Sequence, residues 1–136
     1  MDETLLDTDI LSEVLKGKDA RVLANAQQYL NQYGRLSFSA VTYYEVVRGM
    51  LATRATKQLA NFLQTAANSD VRPVSLPVLL KAAELWATAK AGGHPKDDAD
   101  LIIAATALEV GRVLVTGNKS HFDWIAGLRV DDWRQP

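Results

Sequence analysis

Two carboxylates stand at the point where a short apolar run gives way to a helical pattern. Asp7 and Asp9 follow the run TLL and lie at the start of DILSEVLK, whose apolar positions have helical spacing. An aspartate at such a place can cap the helix by accepting backbone N–H bonds, or it can bind a cation. Asp9 fits the cap. Asp7 lies earlier, at the end of the apolar run, so its role stays open between structure and chemistry.

A third carboxylate, Glu45, lies in the segment SAVTYYEVVRG. The spacing Thr42-x-x-Glu45 matches a capping box, in which the glutamate bonds back to the cap residue of the helix. Ser39 is an equally good cap, and it would place Glu45 inside the helix among apolar side chains. An acid in apolar surroundings is costly unless it is paired or bound to a cation, so this position also admits a functional role.

A cluster of acids precedes a helix that is apolar nearly all round, in PKDDADLIIAATAL. Such a helix is expected to be buried. Asp97 or Asp98 is predicted as its N-cap. Asp100 then lies in the first turn, at the edge of the core, where it can point into a cleft. The alternative is that all three acids only complement the helix dipole.

The chain alternates short apolar segments with helical ones. This alternation predicts a three-layer α/β/α sandwich with a short parallel central sheet and right-handed crossovers. The predicted strands are TLL, RLSFS, RVLVT and LRVDDW, with VRPVSL as a poor candidate that Pro73 confines to an edge or a strand end. The predicted helices are DILSEVLK, KDARVLANAQQYLNQYG, AVTYYEVVRGML, TRATKQLANFLQTAAN, PVLLKAAELWATAKAGG and DLIIAATALEVG, and a turn or short helix is predicted in NKSHFDWIAG.

The predicted sheet would bring several polar residues to one rim. Asp7, Ser39 and the segment 116–118 each follow a predicted strand. Ligands of open parallel sheets bind beyond the carboxyl ends of the strands, so these residues are expected to lie where a site would be. His94 and His121 lack a second histidine at metal-ligand spacing. Both are therefore predicted to be loop residues, and His121 could at most touch a substrate.

The totals are those of an ordinary globular protein. The chain has 136 residues, which fit one domain spanning 1–136, and it is 48% hydrophobic and 23% charged. A net charge of −1 gives no global signal for nucleic acid, although a local basic rim could still bind phosphate. The absence of cysteine excludes disulfides, thiolate catalysis and cysteine zinc sites. With no membrane span or signal peptide in the pattern, a cytoplasmic location is expected.

Taken together, several segments resemble the PIN-domain family and, within it, the VapC toxins of bacterial toxin–antitoxin pairs. They fall in the family's order and spacing along nearly the whole chain: LLDTDILS, VTYYEVVRG, DADLIIAATALEVGRVLVTGNKSHF and LRVDDW. The resemblance implies an endoribonuclease that binds Mg²⁺ or Mn²⁺, hydrolyses phosphodiester bonds of tRNA or another structured RNA, and so inhibits translation. It also implies a VapB-type antitoxin that covers the acidic cleft, and a homodimer.

The resemblance assigns roles to single residues. It makes Asp7, Glu45 and Asp100 the catalytic metal ligands, while Asp9 keeps the capping role that the local pattern predicts. Further residues are expected to contact these ligands or the RNA: Thr8, Asp9, Thr116, Asn118, Arg48 and Lys119. The chemistry is compatible, because Mg²⁺ prefers oxygen ligands. Without metal, clustered carboxylates repel one another, so at least one raised pKa is expected.

The sequence departs from the family pattern at two positions. Asn118 and His121 stand where many relatives have acids, which disfavours two permanently bound metals. These departures keep a non-catalytic RNA- or protein-binding PIN relative as an alternative. A phospho-aspartate protein of the receiver or phosphatase kind is another, because an aspartate pair follows the first strand, and Thr116 and Lys119 follow a late one. A receiver would need an aspartate after its third strand, where this chain has Leu76.

Overall fold

A computed structural model describes residues 1–94 and 96–136. Pro95, in the predicted polar loop HPKDDA, lies outside the described residues. The strands are β1 (Thr4–Leu6), β2 (Ser37–Ser39), β3 (Asp70–Arg72), β4 (Val113–Val115) and β5 (Val130–Asp131). The helices are α1 (Thr8–Lys16), α2 (Ala20–Tyr33), α3 (Ala40–Ala52), α4 (Thr56–Ala67), α5 (Leu76–Ala91) and α6 (Asp98–Val110), with a 3₁₀ turn at Lys119–His121.

The strands form one parallel sheet with the order β3-β2-β1-β4-β5. In the centre, Leu6 of β1 is in register with Phe38 of β2 on one side and with Val115 of β4 on the other. The predicted parallel sheet and three-layer sandwich are confirmed. The receiver alternative is wrong for this chain, because receivers have the strand order 2-1-3-4-5.

Strand β3 lies at an edge of the sheet, as Pro73 predicted. The strand begins at Asp70 and ends at Arg72, so it starts earlier and is shorter than the predicted segment VRPVSL. The reason is that proline has no N–H to donate to the ladder, which ends the pairing at the residue before it.

Each face of the sheet has its own core, because neighbouring strand residues point to opposite faces. Leu6 and Val115 pack with residues of α1 to α4. Leu5 and Leu114 pack with residues of α5 and α6. All four leucine and valine side chains are fully buried. Burial on both faces explains why β4 is apolar throughout and why β1 has two consecutive leucines.

Local caps set the bounds of the helices. Ser39 accepts a hydrogen bond from the backbone N–H of Val41 at 3.1 Å and caps α3. Asp97 caps α6 in the same way, and α2 ends at Gly34, whose φ of 85° favours glycine. No helix within residues 1–94 and 96–136 is long and apolar enough to cross a membrane.

An ion-pair cluster closes the amino end of the sheet, away from the rim. Arg112 lies 3.0 Å from Asp70 Oδ2 through Nη1 and 3.2 Å from Glu3 Oε2 through Nη2. Burial raises the pKa of Asp70, but the hydrogen bond and charge of Arg112 outweigh it and hold that pKa below its usual value. The cluster joins the starts of β1, β3 and β4, so its role is structural.

Candidate active site

Asp7 lies at the carboxyl end of β1, where the strand turns into α1. Its backbone N–H donates to the carbonyl of Val115 at 2.8 Å, which continues the pairing with β4. The carboxylate is 5% exposed. One oxygen accepts from the N–H of Thr8 and the other from the hydroxyl of Thr116, both at 2.8 Å. Asp7 is thus held in place from two elements before any ligand arrives.

The electrostatics of Asp7 reflect this burial. The pKa of its carboxyl rises from 3.8 to about 6. Burial is the largest cause, the hydrogen bonds from Thr116 and Thr8 oppose it, and the charges of Asp9 and Asp100 add to it. The effect of Asp100 shows that the acids of α1 and α6, distant in sequence, are close enough to repel one another. A cation beside Asp7 would relieve both the burial and the repulsion.

Asp9 does not cap α1, and the prediction that it does is wrong. The helix begins at Thr8, and its N-cap is Asp7, whose backbone is extended and whose side chain accepts from Thr8 N–H. Asp9 lies in the first turn. Its Oδ2 accepts from the backbone N–H of Gly117 at 2.9 Å and from Asn118 Nδ2 at 3.2 Å. Asp9 therefore connects α1 to the segment that follows β4.

Glu45 lies inside α3, since Ser39 is the cap, and the capping-box interpretation with Thr42 is wrong. Its Oε1 accepts a hydrogen bond from the hydroxyl of Thr8 at 2.8 Å. The same hydroxyl lies 3.1 Å from that of Thr42, which is fully buried. A hydroxyl donates only one proton, so Thr8 donates to Glu45 and accepts from Thr42. Thr8, the residue after Asp7, thereby orients Glu45.

Asp100 occupies the first turn of α6, as predicted. Its Oδ2 lies 3.3 Å from His121 Nδ1. Burial raises the pKa of Asp100, the charge of Asp97 raises it further and that of Glu45 adds to it, while His121 acts in the opposite direction. Glu45 of α3 is therefore close enough to Asp100 of α6 for its charge to raise the pKa of Asp100.

The predicted cations lie around the acids. Arg48 Nη2 is 3.6 Å from Glu45 Oε2, and its guanidinium lies 5.1 Å from the centre of the Tyr44 ring. Lys119 is exposed at the start of the 3₁₀ turn. Lys96, which precedes α6, lies over the ring of Trp124 at 5.5 Å. Arg48 is the predicted cation that directly contacts a candidate carboxylate.

The structure gives several residues contacts that the sequence did not predict. Thr42 supports Thr8, and His121 contacts Asp100. Asp132 and Arg134, after β5, form hydrogen bonds with each other, and Arg134 also donates to the carbonyl of Gly117. The segment LRVDDW resembles the family pattern at the C-terminus. The residues around it, however, carry no local sequence signal that predicts the contact between Arg134 and Gly117.

The chemistry of the donor set fits a hard divalent ion. Asp7, Glu45 and Asp100 offer only carboxylate oxygens, and Mg²⁺ is commonly held by one or two carboxylates with several waters. In the described residues, no three acidic or histidine side chains stand ready to hold one ion together. Glu45 is turned to Thr8 and Arg48, and Asp100 to His121. These side chains would reorient around an ion that Asp7 already favours.

Comparisons with known proteins agree with this arrangement. The PIN domain family matches residues 4–128. The tRNA(fMet)-specific endonuclease VapC of Shigella flexneri is 29% identical over 95% of this chain and 96% of its own. The VapC ribonuclease Y4jK of Sinorhizobium fredii is 34% identical over 93% and 94%. The structure of VapBC-1 from nontypeable Haemophilus influenzae has 26% identity and a TM-score of 0.84, over 97% of this chain and 98% of that one. The chain therefore belongs to the PIN-domain family, and its similarity to VapC ribonucleases extends over nearly its whole length.

Proposed function

We propose that the chain, as one nuclease domain, is a divalent-metal-dependent endoribonuclease in which Asp7, Glu45 and Asp100 are the catalytic carboxylates. The observation that carries this proposal is the place of the three acids at the carboxyl end of one parallel sheet. Asp7 is buried directly after β1, the hydroxyl of the next residue, Thr8, bonds to Glu45 of α3, and Asp100 in the first turn of α6 is close enough for its charge to raise the pKa of Asp7. Similarity to VapC ribonucleases supports the reaction class.

In the proposed mechanism the three carboxylates would hold Mg²⁺ or Mn²⁺. When bound, such an ion lowers the pKa of a coordinated water and neutralises charge on the scissile phosphate. The chain's other residues set the positions: Thr116 and the N–H of Thr8 orient Asp7, and the Thr8 hydroxyl orients Glu45. No side-chain nucleophile is required.

Substrate binding is assigned to the cations at the edge of the acids. Arg48 and Lys119 are proposed to bind phosphates, since both are exposed while Arg48 reaches Glu45. Asn118, whose Nδ2 donates to Asp9, presents an amide oxygen that could take part in holding the ion or its water. These contacts are to the backbone of the RNA, so they position a strand without specifying its sequence.

The proposal extends to the biological setting. One relative is named a tRNA(fMet)-specific endonuclease, and one solved neighbour is a VapBC complex. We therefore propose a structured RNA such as a tRNA as substrate, inhibition of translation as the outcome, and a VapB-type antitoxin as the partner that covers the acids. A homodimer and a cytoplasmic location belong to the same proposal.

The test uses purified protein, freed of any antitoxin, with tRNA and other structured RNAs. Cleavage is measured with Mg²⁺, with Mn²⁺ and with EDTA, for wild type, Asp7→Asn and Asp100→Asn. Asp123→Asn is the matched control, because it makes the same chemical change at an exposed position. We expect metal-dependent cleavage that both site variants lose and the control keeps. Cleavage that survives both site variants, or persists in EDTA, would contradict the proposal.

A non-catalytic relative remains the second candidate, because Asn118 and His121 replace acids of the family pattern. Asn118 donates its amide to Asp9, and His121 contacts Asp100. If wild type binds structured RNA but leaves it intact with either metal, this second candidate replaces the first.

A further inference from the structure

Arg134, near the C-terminus, is fixed by a buried acid. Its Nε and Nη2 donate to the two carboxylate oxygens of Asp132 at 3.1 and 3.0 Å, and its backbone N–H donates to the same group at 2.9 Å. Asp132 is 4% exposed. Burial raises its pKa, but the hydrogen bonds from Arg134 outweigh this and keep that pKa below its usual value. The planar guanidinium therefore has one preferred orientation.

This orientation directs Arg134 to the segment after β4. Arg134 Nη2 also donates to the carbonyl oxygen of Gly117 at 2.7 Å. On its other side, the N–H of Gly117 donates to Asp9 Oδ2 at 2.9 Å. Gly117 is thus held by both of its backbone polar groups, one bonded to the C-terminal arginine and one to helix α1.

Gly117 is closely surrounded by the ends of these two side chains. A Cβ atom there would lie 2.5 Å from Asp9 Oδ2 and 2.7 Å from Arg134 Cζ, both closer than real Cβ contacts. Any larger residue would therefore displace the carboxylate of Asp9 or the guanidinium of Arg134 from its place against Gly117.

The residues on either side of Gly117 are connected by hydrogen bonds to Asp7, the proposed catalytic carboxylate. The backbone N–H of Asn118 donates to the hydroxyl oxygen of Thr116 at 3.0 Å, and that hydroxyl donates to Asp7 Oδ2 at 2.8 Å. The backbone of Thr116 is held by its N–H, which donates to the carbonyl of Asp131 at 2.8 Å. The orientation of its hydroxyl toward Asp7 depends in addition on how Asn118, and so the segment 116–118, is held.

We propose that Arg134 is a positioning residue for the candidate active site. Its fork, fixed by Asp132, holds the segment 116–118 against Asp9 and thereby keeps Thr116 and Asn118 in place beside Asp7. The inference rests on the proposed function, because it assigns a role in RNA cleavage. It differs from a phosphate contact: Nε and Nη2 are already bonded within the protein, although 43% of the side chain is exposed.

The experiment compares Arg134→Ala and Arg134→Lys with Arg129→Ala. Lysine keeps the charge and most of the stem but loses the fork, which guards against simple loss of the fold. Arg129 is a matched control: it also bonds an aspartate, Asp2 at 3.2 Å, and a glycine carbonyl, Gly111 at 3.5 Å, at the amino end of the sheet. Amide hydrogen exchange at Gly117 is measured by NMR on RNA-free protein, and kcat and KM are measured for RNA cleavage.

We expect both Arg134 variants to exchange the Gly117 amide about tenfold faster or more. We also expect kcat to fall about tenfold while KM changes less than about twofold, which is the signature of lost positioning. Arg129→Ala should change neither.

Wild-type behaviour of Arg134→Lys would overturn the proposal, since charge alone would then suffice. A raised KM with a weaker salt dependence would also overturn it, in favour of a phosphate contact. If wild type does not cleave RNA, the proposed function fails. The positioning role of Arg134 is tested separately, because an unchanged rate of Gly117 amide exchange in Arg134→Ala would contradict it.

Discussion

Replacing Asp7 with asparagine should stabilise the metal-free protein at neutral pH, although it removes a carboxylate from the candidate active site. The wild-type carboxyl is buried, and its pKa rises from 3.8 to about 6. Each pKa unit corresponds to about 1.4 kcal/mol, so ionised Asp7 costs the fold about 3 kcal/mol above pH 6. Asparagine keeps the acceptor for Thr8 N–H but cannot accept from Thr116, which reduces the gain. We expect Asp7→Asn to raise the free energy of unfolding by about 1–3 kcal/mol.

The pH dependence has a definite sign. Because the folded-state pKa of Asp7 is raised, the folded protein binds more protons than the unfolded chain between pH 3.8 and about 6. The stability of wild type should therefore fall as pH rises through this window. Asp7→Asn should lose that part of the slope and keep the smaller part due to Asp9 and Asp100, whose pKa values burial also raises.

The assay is urea unfolding in EDTA from pH 4 to 7.5, followed by circular dichroism, with Asp123→Asn as the control. A divalent ion bound to the folded state should then stabilise wild type and have less effect on Asp7→Asn. The reasoning is refuted if Asp7→Asn is less stable than wild type at pH 7.5 without metal. It is also refuted if the two proteins show the same pH dependence.

Three further substitutions test other contacts of the structure. Thr8→Val removes the hydroxyl that orients Glu45 at 2.8 Å, and kcat for RNA should fall about tenfold with the circular dichroism spectrum unchanged. Gly117→Ala places a Cβ within 2.5 Å of a neighbouring oxygen, and chemical unfolding should show a loss of about 1–3 kcal/mol. Asp70→Asn weakens the ion-pair cluster around Arg112, and should cost about 1–3 kcal/mol at pH 7. Since the pKa of Asp70 is lowered, that loss should fade as acid protonates the wild-type carboxyl.

The sequence predicted most elements because their signals are local. Strand β4 is apolar and buried on both faces, and α6 is apolar nearly all round, so each could be recognised from a few consecutive residues. Caps such as Ser39 and Gly34 are local as well. The bounds of β3 were missed because ladder pairing, which depends on another strand, begins at Asp70.

The side chains around the candidate site were harder to predict, because their partners lie far along the chain. The hydrogen bond from Arg134 to Gly117 joins residues separated by 17 positions, and the one from Gly117 to Asp9 spans 108. Hydrophobic periodicity carries no information on such pairs. The order of the strands in the sheet brings these residues together. The sequence predicted that the strands are parallel but did not predict which strands are neighbours.

The two neighbouring aspartates show how a local rule can assign the wrong residue. Helix capping and a functional role do not exclude each other, because the carboxylate predicted to bind metal is also the cap. One oxygen of Asp7 accepts from Thr8 N–H and caps α1, and the other accepts from the Thr116 hydroxyl. Capping fixes the carboxylate at the end of β1 and buries it, which is the main cause of its raised pKa. Asp9, released from capping, is free to hold Gly117. The two neighbouring carboxylates therefore have different partners. Asp7 lies near the acids of α6 and bonds to Thr116, whereas Asp9 bonds to Gly117 in the segment that follows Thr116.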